Sequence, residues 1–402
     1  MGKLLLWGLA LLLLLTLALG LLASRPWSDY SPLTMVNLFD EELREDNFRN
    51  MQRIFPYHSI RAGDQPHAFS RRQGELIETY EFAGETRTLA DFMARTRTTG
   101  LLVIQDGAIV HEEYALGAQE HDRFTSWSVA KSFIGTLVGI AQQEGRLDDL
   151  DQPISDRVPA LEGTGYDGVP IRHVLQMASG VDFDEIYHQQ FSDINLFFWK
   201  VFVFGRQAAG IMADYASGGA SGETFHYISI NTQALAMLLE AIYEQPIPAL
   251  IEEKLWQPLG MEGDAYWSVD RNQDDAGVIA FCCLNAQLRD YARLGQLYLQ
   301  QGKWQGQQLL PPRWVQQATT PAADFLQPGA SPYNYGGRGY QYHWWVPEQA
   351  DREYFAAGVW GQYIYVSEPA NLVIVRTGAD PGYHRNTDES IAVFRAIRDG
   401  LR

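Results

Sequence analysis

Cysteine is almost missing from this 402-residue chain, which holds only Cys282 and Cys283, adjacent in sequence. Two cysteines cannot build a disulfide framework, and neither has the spacing of a zinc ligand. Neighbouring cysteines rarely meet disulfide geometry, so the pair reads as two small buried hydrophobes. Lysine is scarce as well: five residues against 26 arginines, and 49 acidic side chains leave a formal charge of −18. No basic cluster relieves that charge, which argues against nucleic acid as a partner. The chain also lacks a Gly-x-Ser-x-Gly elbow, a His-Glu-x-x-His zinc helix and a Walker loop. Three common routes to hydrolysis are thereby closed. With 46% hydrophobic and 12% aromatic residues, the chain has the material for a sizeable core spread over two or three lobes.

Charge is absent altogether from Leu4 to Ala23, twenty residues that are almost all Leu, Ala or Gly. At about 1.5 Å per residue a helix of that length spans about 30 Å, the hydrocarbon thickness of a bilayer. Residues 1–23 therefore read as a signal anchor or a signal peptide. The run exceeds the roughly 7–15 apolar residues of a cleaved leader, which favours the anchor, whereas Ala18-Leu19-Gly20 offers a small-x-small cleavage site. Either way the remainder is expected to be exported, periplasmic or extracytoplasmic, and the favoured anchor would tether it to the membrane by residues 4–23. Lys3 fits a cytoplasmic N-terminus.

Residues 24–75 are polar and carry Pro26, Pro32, Pro56 and Pro66, the composition of an irregular extension. From residue 76 to 402 the pattern is that of a folded domain. Glu75–Phe82 and Gly100–Gln105 alternate as strands, and Asp106-Gly107 predicts a hairpin turn into Ala108–Tyr114. Helical periodicity follows from residue 128, where Val129, Phe133, Leu137 and Ile140 share a face, and returns at Thr232–Tyr243 and Ala286–Gln300. Tyr340–Val346, Glu353–Ala357, Gln362–Ser367 and Asn371–Thr377 read as strands, and Ile391–Leu401 as a closing amphipathic helix. The order predicts an α+β protein: an antiparallel sheet flanked by helices, with a helical lobe at about 145–330 and a cleft at the junction.

Ser128-Val129-Ala130-Lys131 sits where strand gives way to helix. Residues three apart on a helix share a face, so the Ser128 hydroxyl and Lys131 amine can meet. Lysine can serve as the base for a serine nucleophile if burial lowers its pKa. A serine at a helix start also aims its own N–H towards an oxyanion. Alone the motif is weak, since roughly 0.2 such pairs arise by chance from 18 Ser and five Lys, and a capped helix with an incidental lysine fits equally.

Three later segments follow in order: Ile171-Arg-His-Val-Leu-Gln-Met-Ala-Ser-Gly180, Gly222-Glu-Thr-Phe-His-Tyr-Ile-Ser229 and Phe281-Cys-Cys-Leu-Asn-Ala-Gln-Leu-Arg-Asp290. Together with Ser128–Lys131 they resemble the serine β-lactamase-like superfamily, most closely its class C-type hydrolase branch of esterases and 6-aminohexanoate-dimer-hydrolase-like enzymes, over residues 75–400. The resemblance implies a β-lactamase/transpeptidase-like fold in which Ser128 is the nucleophile, Lys131 its base and Tyr227 the proton relay. It places Ser229 where an Asn usually contacts substrate, and a third box, usually Lys-Thr-Gly, at Val359-Trp360-Gly361. Gln362 would then give the second oxyanion N–H beside that of Ser128, with Ser229, Trp360 and Gly361 against the substrate. Val359 and Trp360 offer neither charge nor hydroxyl to a substrate carboxylate, a contact worth about 1.5–3 kcal/mol, so penicillinase activity ranks below ester or amide hydrolysis. No metal or organic cofactor is implied. A non-hydrolytic or penicillin-binding/cell-wall sensor or peptidase on the same fold is the alternative. Phe197–Phe204 reads as a buried helix of the insert, or else as an acyl pocket or lipid contact.

Overall fold

The computed structural model describes residues 2–28, 30–330 and 337–401. The apolar run forms helix α1 (Gly2–Ser24), which buries none of its Leu5–Leu22 window against the rest of the chain. A short helix α2 (Pro32–Val36) follows, started by Pro32 and capped by the Ser31 hydroxyl, which accepts from the Leu33 N–H. Strands β1 (Tyr57–Ile60), β2 (Ser70–Arg71), β3 (Thr98–Gln105), β4 (Ala108–Tyr114) and β5 (Phe124–Thr125) precede helix α3 (Ala130–Gln143). The insert carries α4 (Asp193–Phe198) and α5 (Ile230–Tyr243), then β6 (Ala265–Ser268), β7 (Leu284–Ala286) and α6 (Leu288–Leu299). Strands β8 (Gly339–Gln341), β9 (Trp344–Val346), β10 (Glu353–Gly358), β11 (Gln362–Ser367) and β12 (Leu372–Gly378) lead into α7 (Tyr383–Gly400).

The main sheet has eight strands in the order β8-β9-β10-β11-β12-β3-β4-β2, so early and late segments of the chain share it. Asp106 and Gly107, at φ +52° and +76°, make the turn between β3 and β4. All eight residues of β3 are buried because helices cover both faces. α6 packs on one side, where a Cβ at Gly295 would come 2.7 Å from Val373, and α7 on the other, where Phe394 meets Tyr363 and Tyr365. A second sheet, β1-β6-β7-β5, ties residues 57–60 to the insert.

Two expectations change. Residues 24–75 are not irregular throughout: Phe48, Met51, Ile54, Phe55 and Ile60 are buried in the core, and β1 pairs with β6. Their apolar residues are spaced among charges, which hides them from a reading by composition. Tyr340–Val346 is a hairpin rather than one strand, bent at Tyr342 (φ +37°) and His343 (φ +69°). The bend is held by buried polar contacts: the Tyr342 hydroxyl accepts from Arg172, and the His343 ring lies between Thr232 and Tyr340.

Candidate active site

Ser128 lies in the single 3-10 turn Trp127–Val129 that joins β5 to α3. Trp127 is held at φ +42°, in the left-handed region that a bulky side chain disfavours. The turn is fixed from below, where the Ser126 N–H donates to Leu284 O at 2.7 Å and the Val129 N–H to Ser126 O at 3.1 Å. One helical turn beyond Ser128, Lys131 is 2% exposed among the buried residues of α3. Its Nζ lies 2.8 Å from Ser128 Oγ and 2.9 Å from Phe281 O. The Tyr227 and Phe281 rings stand 5.1 Å and 5.5 Å from the same nitrogen. Burial brings the Lys131 pKa down from 10.5 to about 7, against an upward pull from Glu185. A neutral amine is therefore accessible near neutrality.

A cleft of about 820 Å³ opens over Ser128, between the Asp182–His188 loop of the insert and the end of β10. Tyr227, Trp345, Phe355, Gly358 and Val359 are among its lining residues. Gly358 has a steric role: a Cβ there would sit 2.7 Å from Ser126 O and 3.1 Å from the Ser128 nitrogen. No side chain fits between β10 and the Ser128 turn.

The structure brings Ser128, Lys131 and Tyr227 together and moves the other expected contacts. Gln362 lies opposite Gly358 in the β10–β11 ladder, and its side chain bonds to Gly378 in the sheet. It does not line the cleft, whereas Val359 does. The strand beside Ser128 ends Ala356-Ala357-Gly358, three residues ahead of the expected box, because Gly361 marks the far side of the turn at φ +86°. Trp360 and Gly361 are likewise outside the cleft lining. Trp360 stacks on Phe39, packs on Phe48 and Tyr383, and lies under Arg44. Ser229 is fully buried: its hydroxyl donates to Glu185 Oε1 and its N–H to Glu185 Oε2 at 2.9 Å.

Glu185 is the participant that sequence reading missed. It lies between Lys131 and Ser229, accepts from the Tyr187 hydroxyl at 2.8 Å, and is pushed upward by burial while Lys131 pulls it down. Its only sequence signal is a Glu among Asp residues after Ser179-Gly180, which marks a solvated loop as readily. Behind Tyr227, Tyr340 meets its ring at 5.9 Å, and His343 is brought down to about 3 by burial. Arg338 also lines the cleft, paired with Asp388. The two cysteines are not unpaired hydrophobes. Cys282 and Cys283 form a vicinal disulfide directly after Phe281, with Cys283 at φ +75°. Sequence adjacency made such a bridge improbable. Among the described residues no cluster of three or more His, Cys, Asp or Glu is placed to hold a metal ion.

A serine thus lies beside a buried lysine at the end of a strand of the main sheet. The family model described as Beta-lactamase matches residues 86–393. The chain belongs to the beta-lactamase family. It is a serine hydrolase of the β-lactamase/transpeptidase-like fold. The 6-aminohexanoate-dimer hydrolase of Paenarthrobacter ureafaciens is 27% identical over 296 residues, covering 72% of this chain and 74% of that protein. A Bacillus anthracis structure assigned as a 6-aminohexanoate-dimer hydrolase superposes with a TM-score of 0.80 at 21% identity, covering 90% of this chain and 96% of the other. EstCE1, a hydrolase with promiscuous acyltransferase activity, shares the fold at a TM-score of 0.60 and 16% identity, over 78% of this chain and 96% of its own.

Proposed function

We propose that this chain cleaves a carboxylic ester or linear amide through an acyl-enzyme on Ser128. The observation that carries the reading is the 2.8 Å contact between Ser128 Oγ and a buried Lys131 whose pKa is brought to about 7. Once Lys131 is neutral, the contact reverses and the Ser128 hydroxyl donates to the amine. Oγ attacks the carbonyl carbon as its proton passes to Nζ, and the oxyanion forms between the N–H groups of Ser128 and Val359. Tyr227 gives its proton to the departing alkoxide or amine and is reprotonated from the Lys131 ammonium. Water then attacks the acyl carbon, releasing the acid and restoring the serine. Glu185, on the cleft wall, and the buried Ser229 bonded to it hold this set in place. The second oxyanion donor is assigned to Val359 in place of Gln362 because Val359 reaches the cleft.

Ala356 and Ala357, beside the nucleophile, offer a substrate carboxylate neither charge nor hydroxyl. That supports uncharged esters and linear amides over penicillins, and the name of the Paenarthrobacter relative supports an amide among them. Among the described lining residues, Arg338 is the Lys or Arg side chain that favours the penicillin-binding alternative. α1 is proposed as an uncleaved anchor carrying an exported body. The test is turnover of short-chain esters, linear amides and a chromogenic cephalosporin by the full chain and by Ser128→Ala. Ester or amide turnover falling at least about 1000-fold in the variant supports the reading, and turnover that survives the substitution refutes it.

A further inference from the structure

We propose that an apolar rim on the extension and the insert rests on the bilayer that α1 enters, so that the Ser128 cleft opens at the membrane surface and draws amphiphilic esters or amides from it. The substrate half of this inference rests on the Ser128 reading, and both halves rest on α1 remaining attached. Outside α1, the exposed large apolar side chains among the described residues are Trp27, Leu33, Val36, Phe39, Leu43, Tyr57, Leu116, Tyr187, Phe191, Trp199 and Phe204. Ten of these eleven fall within residues 27–57 or 187–204, and Leu116 alone lies elsewhere. Scattered exposed apolar residues are ordinary, but two clustered stretches mark a contact surface.

What covers the surface follows from how α1 ends. The helix is pinned to the body: Ser24 O accepts from the Ser31 hydroxyl, and Arg25 Nη2 donates to Phe202 O at 2.6 Å. Phe202 stacks on Phe198, Phe198 packs on Phe281, and the Phe281 carbonyl accepts from Lys131. One side chain, Phe198, therefore separates the anchored Phe202 from Phe281, the residue that holds the catalytic lysine. Along the other arm, α2 exposes Leu33 (51%) and Val36 (75%) and leads to Phe39. Phe39 stacks on Trp127, next to Ser128, and on Trp360, which packs on Tyr383 of the cleft wall. On the insert side, the exposed Phe191 (77%) and Phe204 (72%) follow the cleft loop and Phe202 in sequence. Both arms thus run from the end of the membrane helix to the cleft. With a formal charge of −18, the body gains nothing electrostatically from an anionic surface, so the contact is apolar and interfacial.

The experiment uses the full chain, one copy per disc, in discs of zwitterionic lipid. Nitroxides are attached at Val36→Cys, Phe191→Cys and Phe204→Cys, with Leu116→Cys and Gln307→Cys as controls, and their collision rates with oxygen and a soluble nickel chelate are compared. The rim sites are expected to favour oxygen, as lipid-immersed labels do, and the controls to favour the chelate. Aqueous values at all three rim sites overturn the membrane contact, and lipid-like shielding seen only with two copies per disc overturns it in favour of self-association. For the substrate half, the variant carrying Phe191→Ser and Phe204→Ser is expected to lose at least about tenfold on a long-chain acyl ester dissolved in the disc. Its turnover of a water-soluble short-chain ester should hold within about twofold. Equal effects on both esters overturn that half. Failure of the unaltered chain to turn over either ester or a linear amide refutes the Ser128 reading and with it that half, while the nitroxide depths still decide the membrane contact.

Discussion

Replacing Lys131 by methionine should destroy activity and yet stabilise the protein, in a manner set by pH. The folded chain lowers the lysine pKa from 10.5 to about 7, because burial disfavours the ammonium. At about 1.4 kcal/mol per tenfold change in proton affinity, that descent amounts to a cost on the order of 5 kcal/mol. The sign follows from proton counts. Between pH 7 and 10.5 the unfolded chain binds the lysine proton and the folded chain does not, so native stability rises with pH. Below pH 7 the whole cost is present, at pH 9 about 2 kcal/mol of it remains, and above 10.5 it vanishes. Methionine fills a similar volume and removes this cost, but leaves Phe281 O without the Lys131 partner, a loss of roughly 1–3 kcal/mol. Lys131→Met should therefore be more stable than the native sequence at pH 6 by about 2–4 kcal/mol, with the difference shrinking as pH rises and reversing at about pH 8–10. Thermal melts of both full-length proteins in the same detergent, from pH 6 to 10, measure this. A variant less stable at pH 6, or a difference that does not vary with pH, would show that the lysine is held as a stabilised ammonium and is no base.

The rate of acylation, read as kcat/KM for an ester, should climb tenfold per pH unit below about 7 and level off above it, since only the neutral amine accepts the serine proton. A profile flat from pH 5 to 9 would contradict that. Gly358→Ala places a methyl 2.7 Å from Ser126 O, so kcat should fall at least about 100-fold while secondary structure is retained. Ester turnover should exceed cephalosporin turnover by at least about 100-fold in kcat/KM, and comparable values would mean that Arg338 holds the ring carboxylate.

The parts of the fold legible in the sequence were those with strong local patterns. The Asp106-Gly107 hairpin and the span of α3 follow from turn chemistry and a single-period apolar face. The Ser128–Lys131 pair was legible because both residues lie on one turn. The third box was misplaced because Gly358 and Gly361 flank the same tight turn, and only strand pairing tells which glycine approaches Ser128. Glu185 was invisible for a different reason. A carboxylate in an acidic loop reads as solvated until the fold shows it buried against Ser229. The split of Tyr340–Val346 depends on partners as distant as Arg172 and Thr232, which no window on the sequence contains.

The central claim, that Ser128 is the nucleophile activated by Lys131, meets its most direct test in covalent labelling. The full-length protein is treated with a serine-directed phosphonate at pH 8, and the modified peptide is mapped by mass spectrometry. One equivalent is expected on Ser128, none in Ser128→Ala, and labelling slowed at least about 100-fold in Lys131→Met. Modification that persists in Ser128→Ala, or that proceeds at the native rate without the lysine, would contradict the account.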